Sequence, residues 1–390
     1  MTFRLFSLSC AAATIALSSG LISNDAKAAG FYIQEQSSYH LGMAFAGVAA
    51  DPVDASTAYY NPAGIASLDR AQMQMGSHLL IPSSKLKNTG SSATTAGGFA
   101  GALTGEDSGN PYDPALVPNM FAAYPVSDNH DIWLGFSITA PFDAQLVNAL
   151  PTPAAAGPDP SSDGSQDLSG TDTSMGYNVG VLWTPQEDLR FGLHYRHGID
   201  HELNGRVVIN PVGGGAQIRV PGMAELDLPA IASLAAGYDV NEKLTIQGHV
   251  MWYGWSVFDD IPVLLSTGTF SSTEQNYKNT YAAAIGFKYK LDDQWELKAG
   301  YQFDQSPTTD GYRSTRTPDG DRNWYSLGAT YKLNDRVSLD FSGTYIDIKS
   351  EKIDLTRSFN YGGGQTASVD INGETEGDVG IIAVGMSYKF

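Results

Sequence analysis

The chain has almost no cysteine, no long apolar run and few basic residues. Of its 390 residues only Cys10 is a cysteine, so the rest of the chain has no disulfide to stabilise it. No run of about 18 uncharged apolar residues follows the N-terminus, which excludes a protein built from membrane-spanning helices. With 23 Lys and Arg against 42 Asp and Glu, the net charge is −19, which argues against a nucleic-acid partner.

The first residues have the pattern of a secretory signal peptide. Arg4 supplies a positive start, a modest apolar stretch covers residues 5–22, and Ala26-Lys27-Ala28 fits a small-residue cleavage site. We therefore predict a signal peptide over residues 1–28 and an exported mature chain that begins at Ala29. Because Cys10 lies in the removed piece, a closed hydrogen-bonded barrel is a natural source of stability for the mature protein.

From residue 71 onward, stretches of about ten residues alternate apolar with small or polar positions, as membrane strands do. In the stretch 322–333, for example, Tyr325 and Leu327 fall on one face, and Ser326 and Gly328 fall on the other. A soluble sandwich can alternate in the same way, so the pattern alone leaves two all-β classes open.

The connections between these stretches separate the two classes, because they alternate strictly between short and long. We predict strands near 71–82, 118–126, 131–146, 172–184, 189–208, 225–239, 243–258, 277–290, 294–304, 321–333, 336–348 and 378–390. The short connections are 127–130, 185–188, 240–242, 291–293 and 334–335, and the long ones are 83–117, 147–171, 209–224, 259–276, 305–320 and 349–377. Short periplasmic turns and long outer loops are typical of transmembrane β-barrels. The sequence thus predicts a twelve-stranded antiparallel barrel over residues 71–390, with both termini in the periplasm.

The C-terminus and the strand ends support a bacterial outer-membrane location. Alternating apolar residues lead from Ile382 to the terminal aromatic Phe390, which resembles the signal read by the barrel-assembly machinery. Aromatic residues such as Trp183 and Trp295 cluster near strand ends, as interfacial girdles do. We therefore expect contact with outer-membrane lipid and lipopolysaccharide, and assembly by that machinery as a monomer.

Residues 29–70 break the strand pattern and form a separate segment. They contain a small apolar stretch over 42–50 and the break-and-turn residues Asn61, Pro62, Ala63 and Gly64. The segment is too rich in aromatic residues for a solvated tail, although a disordered periplasmic tail is the alternative. We predict that it plugs the barrel, with its backbone polar groups satisfied inside the lumen.

Motifs spread over nearly the whole mature chain point to one known family. They are Ala29-Gly30-Phe31, Asp51-Pro52-Val53-Asp54-Ala55, Asn61-Pro62-Ala63-Gly64, Val117-Pro118-Asn119-Met120, Leu226-Asp227-Leu228-Pro229, Asp304-Gln305-Ser306-Pro307 and Asp321-Arg322-Asn323-Trp324. In combination they resemble the FadL family of long-chain fatty-acid and hydrocarbon transporters. Family members commonly have fourteen strands, which is the alternative count, and the shortfall would fall in the proline-rich region 147–171. This shortening puts the family's outer docking groove in doubt.

The resemblance implies passive uptake of hydrophobic molecules such as fatty acids, alkanes or aromatics. Ligand would reach an apolar pocket above the hatch, as the family's plug is called, and leave sideways through a gap in the wall. Pro141, in the third strand, lacks the N–H that a ladder bond needs, so it is the candidate for the lateral exit. The alternative is that the strand simply ends there.

Strand parity gives candidate ligand-binding residues. The apolar candidates are Met43 and Phe45 from the plug segment and Trp133, Met251, Tyr253 and Trp324 from the barrel. The candidate partners for a carboxylate are Arg196, Lys278 and Arg322. The alternative for these cations is pairing with lumen carboxylates such as Glu296, Asp304 or Asp340.

Catalysis finds little support in the sequence. The histidines form no convincing constellation with a nucleophile and an acid, and there is no metal-ligand spacing or phosphate loop. We therefore expect no enzyme activity, cofactor or metal. A general porin with an open aqueous pore and an outer-membrane lipid hydrolase are the competing functions.

Overall fold

A computed structural model of the chain describes most of the mature sequence. The described residues are 34–94, 98, 100–102, 109–110, 112–126, 132–139, 145–150, 164–172, 174–211, 215–265, 268–315, 319–362 and 365–390. The predicted signal peptide, the first residues of the predicted plug and Pro141 lie outside them. Within the described ranges, no helix is both long and apolar enough to cross a bilayer.

The chain is built almost entirely from strands. These are β1 (Gln72–Asn88), β2 (Ser92–Thr94), β3 (Ala100–Ala102), β4 (Ala115–Pro125), β5 (Trp133–Thr139), β6 (Gln145–Leu150), β7 (Gly164–Thr171), β8 (Asn178–Gln186), β9 (Leu189–Arg196), β10 (Ile199–Asn210), β11 (Ile218–Leu228), β12 (Ile231–Asp239), β13 (Leu244–Tyr253), β14 (Asp260–Leu265), β15 (Gly268–Glu274), β16 (Thr280–Lys290), β17 (Trp295–Asp304), β18 (Arg322–Lys332), β19 (Val337–Gly362) and β20 (Gln365–Lys389). The short helices are α1 (Ser38–Leu41) and α2 (Thr57–Tyr60), with 3₁₀ turns at Val48–Ala50, Pro62–Ser67 and Trp255–Val257.

The main sheet is antiparallel, and its continuous path holds twelve strands in the described part of the chain. Their order is β5-β4-β1-β20-β19-β18-β17-β16-β13-β12-β9-β8. Each of the twelve predicted strands overlaps one strand of this path, so the predicted all-β barrel architecture is confirmed. The short strands β2 and β3, which pair beside β20, bring the sheet to fourteen. The first and last strands of the barrel meet through the pairing of β1 with β20, where Gln72 lies opposite Lys389.

The prediction that the long connections are loops is wrong for much of their length. A second sheet, of order β15-β14-β11-β10-β7-β6, is formed largely by residues that were predicted to lie in loops. In the same way β19 and β20 run on as one hairpin through residues 349–377. These extensions are more polar than the lipid-facing stretches, and pairing with a neighbour satisfies their backbone groups without any apolar outer face.

The two faces of the wall have the polarity of a membrane barrel. Large apolar side chains such as Leu193, Leu234 and Leu327 are more than half exposed on the outer face. Buried polar side chains such as Gln74 and Lys298 point inward. An apolar exterior around a polar interior reverses the pattern of a soluble sandwich and suits a wall surrounded by lipid.

One junction in the wall differs from the others. The path of the main sheet ends at β5 on one side and at β8 on the other, and the described residues of these two strands share no ladder. Beyond them, β6 and β7 do pair, with Leu146 opposite Leu168. Among the described residues, a ladder therefore joins β6 to β7 and none joins β5 to β8.

The N-terminal segment, residues 34–70, fills the interior near the turns that were predicted to be periplasmic. Ser37 accepts a hydrogen bond from the His40 backbone N–H at 3.3 Å and so caps α1. Asn61 begins the 3₁₀ turn at Pro62, whose fixed φ suits a first helical position. The segment packs close to the wall because glycines face it: a Cβ on Gly300 would lie 2.1 Å from the Met43 carbonyl oxygen.

Candidate functional site

An apolar cluster occupies the interior next to the N-terminal segment. Four predicted ligand-binding residues, Phe45, Met251, Tyr253 and Trp324, lie within this one cluster and are at most 4% exposed. Its other buried members are Leu41, Ala44, Val48, Tyr60, Leu80, Val117, Ile231, Trp255, Phe258, Tyr277, Ala282, Ile346, Ile381 and Ala383. Residues from the segment and from opposite parts of the wall therefore share one apolar interior.

Three aromatic side chains that parity reasoning missed cover the outer side of this cluster. Trp255, Phe258 and Tyr277 pack edge to face, with ring centroids 4.9 to 6.4 Å apart. Trp255 lies in the 3₁₀ turn between β13 and β14, and Tyr277 lies between β15 and β16. Both fall within the predicted strands 243–258 and 277–290, but the observed strands end at Tyr253 and begin only at Thr280, and neither residue was among the predicted ligand-binding residues.

Met43 lies apart from the other candidates. It is fully buried in a smaller cluster with Tyr39 and Ala46, against Ala284 of the wall. Residues Met43 to Ala46 form a tight turn in which Ala44 and Phe45 adopt positive φ angles of 49° and 59°. This strained turn directs Phe45 into the large cluster and Met43 against the wall.

The predicted cationic residues have different surroundings. Arg322 donates to Asp304 at 2.9 Å and to Asp319 at 2.7 Å, which agrees with the alternative of pairing to lumen carboxylates. Lys278 lies before β16 begins at Thr280, so strand parity does not place its side chain, which is exposed. Its backbone N–H donates to the Pro307 carbonyl at 3.0 Å.

Arg196 at the end of β9 is held by the N-terminal segment. Its guanidinium donates to the Tyr59 carbonyl at 2.5 Å and lies over the Tyr59 ring, 3.8 Å from the centroid. Nearby, Asn178 of β8 donates to the same carbonyl at 3.2 Å. The predicted cation thus anchors α2 to the wall beside β8.

One buried ion pair and one buried lysine attach the segment to the wall. Lys288 donates to both carboxylate oxygens of Asp51, at 2.8 and 3.0 Å. Lys298 pairs with Asp340 at 3.4 Å, donates to the Tyr39 carbonyl and lies 3.3 Å from the Tyr39 ring centroid. Breaking a pair of this kind leaves an uncompensated buried charge, so the segment is firmly attached at these points.

His40 is packed beside Asp51 and belongs to the same buried network. Its Nε2 lies 3.7 Å from the Asp51 carboxylate and its Nδ1 lies 3.1 Å from the Ser37 hydroxyl. Burial lowers the pKa of His40 to about 4, against the opposing effect of Asp51. Burial alone would raise the pKa of Asp51, but Lys288 and His40 together lower it to about 2. Asp51 and Lys288 thus form the charged pair, and His40 is neutral near pH 7.

A cavity of about 430 Å³ lies where β5 has no partner strand. It is lined by Ala58, Pro62, Ala63, Ile65 and Ala66 of the N-terminal segment and by Trp133, Gly135, Phe136 and Ser137 of β5. Consecutive residues of β5, from Leu134 to Ile138, are exposed, so both faces of the strand are open. The candidate Trp133 therefore belongs to this cavity rather than to the interior cluster.

The break-and-turn residues of the N-terminal segment lie between this cavity and β8. Asn61 donates from its side-chain amide to the Ala49 carbonyl at 2.6 Å and to the Val181 carbonyl of β8 at 3.1 Å. Its side-chain oxygen accepts from the Ala63 N–H at 3.2 Å. Gly64 fits close under Thr57, whose hydroxyl would lie 2.2 Å from an added Cβ.

Within the part of the chain that the structure describes, no group of three or more His, Cys, Asp and Glu could hold a metal ion. The interior cluster is apolar, and the cations Lys288, Lys298, Arg322 and Arg196 beside it are bound to carboxylates or to the N-terminal segment. Its chemistry is suited to binding and passage of hydrophobic molecules.

A family model for the outer membrane protein transport proteins (OMPP1/FadL/TodX) matches residues 19–149 and 143–390. The chain belongs to this family. It is therefore an outer-membrane protein of a transport family, and this membership confirms the predicted resemblance. The family assignment also agrees with the prediction that the chain is not an enzyme.

Relatives of known name match over nearly their whole length. The long-chain fatty acid transport protein of Escherichia coli O6:H1 is 25% identical, over 96% of this chain and 98% of that protein. Outer membrane protein P1 of Haemophilus influenzae is 23% identical, over 95% of this chain and 97% of that protein. Among solved structures, a FadL homologue of Pseudomonas aeruginosa superposes with a TM-score of 0.79 at 22% identity, over 93% of this chain and all of that one. The toluene transporter TodX of P. putida gives 0.54 at 13% identity, over 94% of this chain and 99% of that one, so these structures show the shared fold.

Proposed function

We propose that this chain is a passive channel for hydrophobic molecules, which bind in the apolar interior and leave sideways between β5 and β8. The observation that carries the proposal is the unpaired junction between these strands, with a cavity of about 430 Å³ against it. Its ligand class follows from the names of the relatives, which include a long-chain fatty acid transport protein and a toluene transporter. Residues 34–70 act as the hatch.

Binding in the interior needs only apolar surface. A hydrocarbon chain gains roughly 0.8 kcal/mol for each methylene that it buries. The cluster around Phe45, Met251 and Trp324 offers such surface from three sides, and the rings of Trp255 and Phe258 separate it from the outer solvent. Ligand that enters from outside would have to displace these buried rings before it meets the hatch.

The hatch is poorly suited to moving out of the barrel to release ligand. It is fixed by the Lys288–Asp51 pair, by the bond from Lys298 to the Tyr39 carbonyl and by the Asn61 amide. Removing it would break the buried Lys288–Asp51 pair, at a cost of roughly 3–5 kcal/mol when Lys288 is left without its partner. A path through the side of the wall avoids this cost, because β5 and β8 have no ladder to break in their described residues.

The proposed exit delivers ligand to a favourable environment. On the outer face, Phe136 and Ile138 of β5 and Val179 of β8 are exposed beside the junction. A hydrophobic molecule that leaves between them enters the lipid leaflet without crossing water. Pro141 follows the described end of β5. We propose that it prevents a ladder from forming between β5 and β8.

Uptake and conductance measurements test this function together. Cells that lack other uptake routes and express the chain should accumulate radiolabelled long-chain hydrocarbon or fatty acid faster than cells with an empty vector. The purified protein should give little steady current in planar bilayers, because the hatch and the apolar cluster leave no aqueous path. Large steady open-channel currents, with uptake equal to the vector control, would support a general porin and overturn the proposal.

A further inference from the structure

The charges of the described interior restrict which hydrophobic ligands fit it. A fatty acid carboxylate must exchange its hydration for a cation or for several hydrogen-bond donors when it is buried. A hydrocarbon or a long-chain alcohol carries no such requirement. Whether a carboxylate fits therefore depends on which groups the interior cations already bind.

Arg322 adjoins the apolar cluster, since it lies two residues before Trp324 on the same face of β18. It contacts the carboxylates of both Asp304 and Asp319, at 2.9 and 2.7 Å. Glu35 of the hatch lies close enough to interact electrostatically with the same guanidinium. The surroundings of Arg322 thus hold more acidic than basic groups, and a further carboxylate would be repelled.

The other interior cations near the hatch are also engaged. Lys288 and Lys298 are paired with Asp51 and Asp340. Arg196 binds the carbonyl and ring of Tyr59. Recruiting any of these cations to a ligand would release the contacts that hold the hatch.

In contrast, the same interior contains uncharged polar groups that a ligand could bind by hydrogen bonds. Trp324 Nε1, Thr280 Oγ1 and Ser233 Oγ are buried without a hydrogen-bond partner among the described residues, and their side chains are at most 4% exposed. Thr280 lies opposite Tyr253 and Ser233 lies opposite Met251 in the ladders, so both adjoin the predicted ligand-binding residues. A buried polar atom without a partner is costly, and a ligand hydroxyl is able to satisfy it.

We propose that the interior selects uncharged hydrocarbon ligands, either plain hydrocarbons or chains that end in a hydroxyl, over carboxylates of the same length. The inference rests on the proposed uptake function and names its substrate class. The ligand chain lies on the apolar cluster, and a terminal hydroxyl bonds to Trp324, Thr280 or Ser233. Carboxylates are disfavoured because Asp304, Asp319 and Glu35 surround the cation that they would need.

A matched ligand pair tests the selection. Binding of radiolabelled tetradecanol and tetradecanoate to the full chain in lipid nanodiscs is measured at about pH 8, where the acid is ionised. Empty nanodiscs give the partition into lipid, which is subtracted. We expect the alcohol to bind about tenfold more tightly than the carboxylate, a difference of about 1.4 kcal/mol. Equal affinities, or a preference for the carboxylate, would overturn the selection and leave the uptake function standing. Specific binding of neither ligand would overturn the uptake function itself, and the selection with it.

A charge variant makes the test sharper. Asp319→Asn removes one of the two carboxylates on Arg322, so the affinity ratio should move toward tetradecanoate by about fivefold. Asp310→Asn is the matched control, because Asp310 is exposed and pairs with Arg313 instead. If both variants leave the ratio where it is in the unmodified chain, the acidic surroundings of Arg322 do not set the selectivity and the proposal is wrong. Heat-modifiable migration on gels shows that each variant is folded.

Discussion

The side-chain amide of Asn61 lies 3.1 Å from the backbone carbonyl of Val181, on the strand that has no ladder to β5. The same amide donates to the Ala49 carbonyl at 2.6 Å. Asn61 thus links three parts of the structure. It caps the 3₁₀ turn Pro62–Ser67, and its amide bonds to the turn Val48–Ala50 and to the unpaired edge of β8. This contact supports an exit that is bordered by a fixed hatch on one side.

Replacing Asn61 with alanine should loosen the hatch beside β8. The change removes two donated bonds and one accepted bond and leaves buried carbonyls without partners, at a cost of about 1–3 kcal/mol. We expect faster proteolysis within residues 34–70 of the folded protein, measured by limited proteinase K digestion. Asn204→Ala is the control, since its amide donates to Glu202 on an exposed outer strand. Equal digestion of the two variants would show that Asn61 does not hold the hatch.

Gly180 of β8 should tolerate no side chain, because Asn61 lies directly over it. An added Cβ would be 1.9 Å from the Asn61 side-chain oxygen. Gly180→Ala should therefore produce the same hatch proteolysis as Asn61→Ala, and the double variant should add little to either. Gly343→Ala is the control, with its nearest neighbour at 3.9 Å. Additive effects of Gly180 and Asn61 would contradict a shared contact.

The Lys298–Asp340 pair should matter more as a pair than either residue does alone. Lys298→Met leaves Asp340 buried without its cation and should lower the stability by roughly 3–5 kcal/mol. The double variant Lys298→Met with Asp340→Leu should recover a large part of this loss. The thermal midpoint in detergent, followed by circular dichroism, measures both. A double variant less stable than the single one would show that the pair is not the source of the effect.

The stability of the protein should fall with rising pH through the titration of Glu35. Burial, followed by the nearby Asp304, raises the pKa of Glu35 from 4.5 to about 7, although Arg322 opposes the shift. A raised folded pKa means that the folded state holds the proton more tightly, so this contribution is complete below about pH 4.5 and is lost as the pH rises through about 7. We therefore expect the thermal midpoint of the unmodified chain to fall relative to that of Glu35→Gln as the pH rises over that range. A difference independent of pH would place the Glu35 carboxyl in water.

The wall was predictable from the sequence, because lipid imposes a period of two and short Asn- and Asp-containing turns mark one end of each hairpin. All twelve strands of the main path follow from those two signals. The outer strands were predicted only in part, since a stretch such as β7 is polar and glycine-rich and carries no lipid-facing pattern. Their pairing rests on backbone hydrogen bonds and on a small apolar cluster of Leu168, Val207, Ala224 and Val263, which distant strands supply together.

The site was predictable only in part. Parity and the resemblance gave Phe45, Met251, Tyr253 and Trp324, which share one cluster. They did not give the Lys288–Asp51 pair, because its partners are 237 residues apart. Nor did they show which junction in the wall is unpaired, because that depends on where both neighbouring strands end. The lateral exit beside Pro141 stays a prediction, because Pro141 lies outside the described residues.

The passage of ligand between β5 and β8 is tested most directly by filling the cavity there. Ser137 lines the cavity, and the adjacent Ile138 is exposed on the outer face of the same strand. Uptake of radiolabelled tetradecanol is measured in cells that express Ser137→Trp, Ile138→Trp or the unmodified chain at equal levels. We expect Ser137→Trp to lower the initial rate by about tenfold, and Ile138→Trp to keep most of it, because a buried indole blocks the path whereas a lipid-facing one does not. Equal rates for the two tryptophan variants would contradict a lateral exit at this junction.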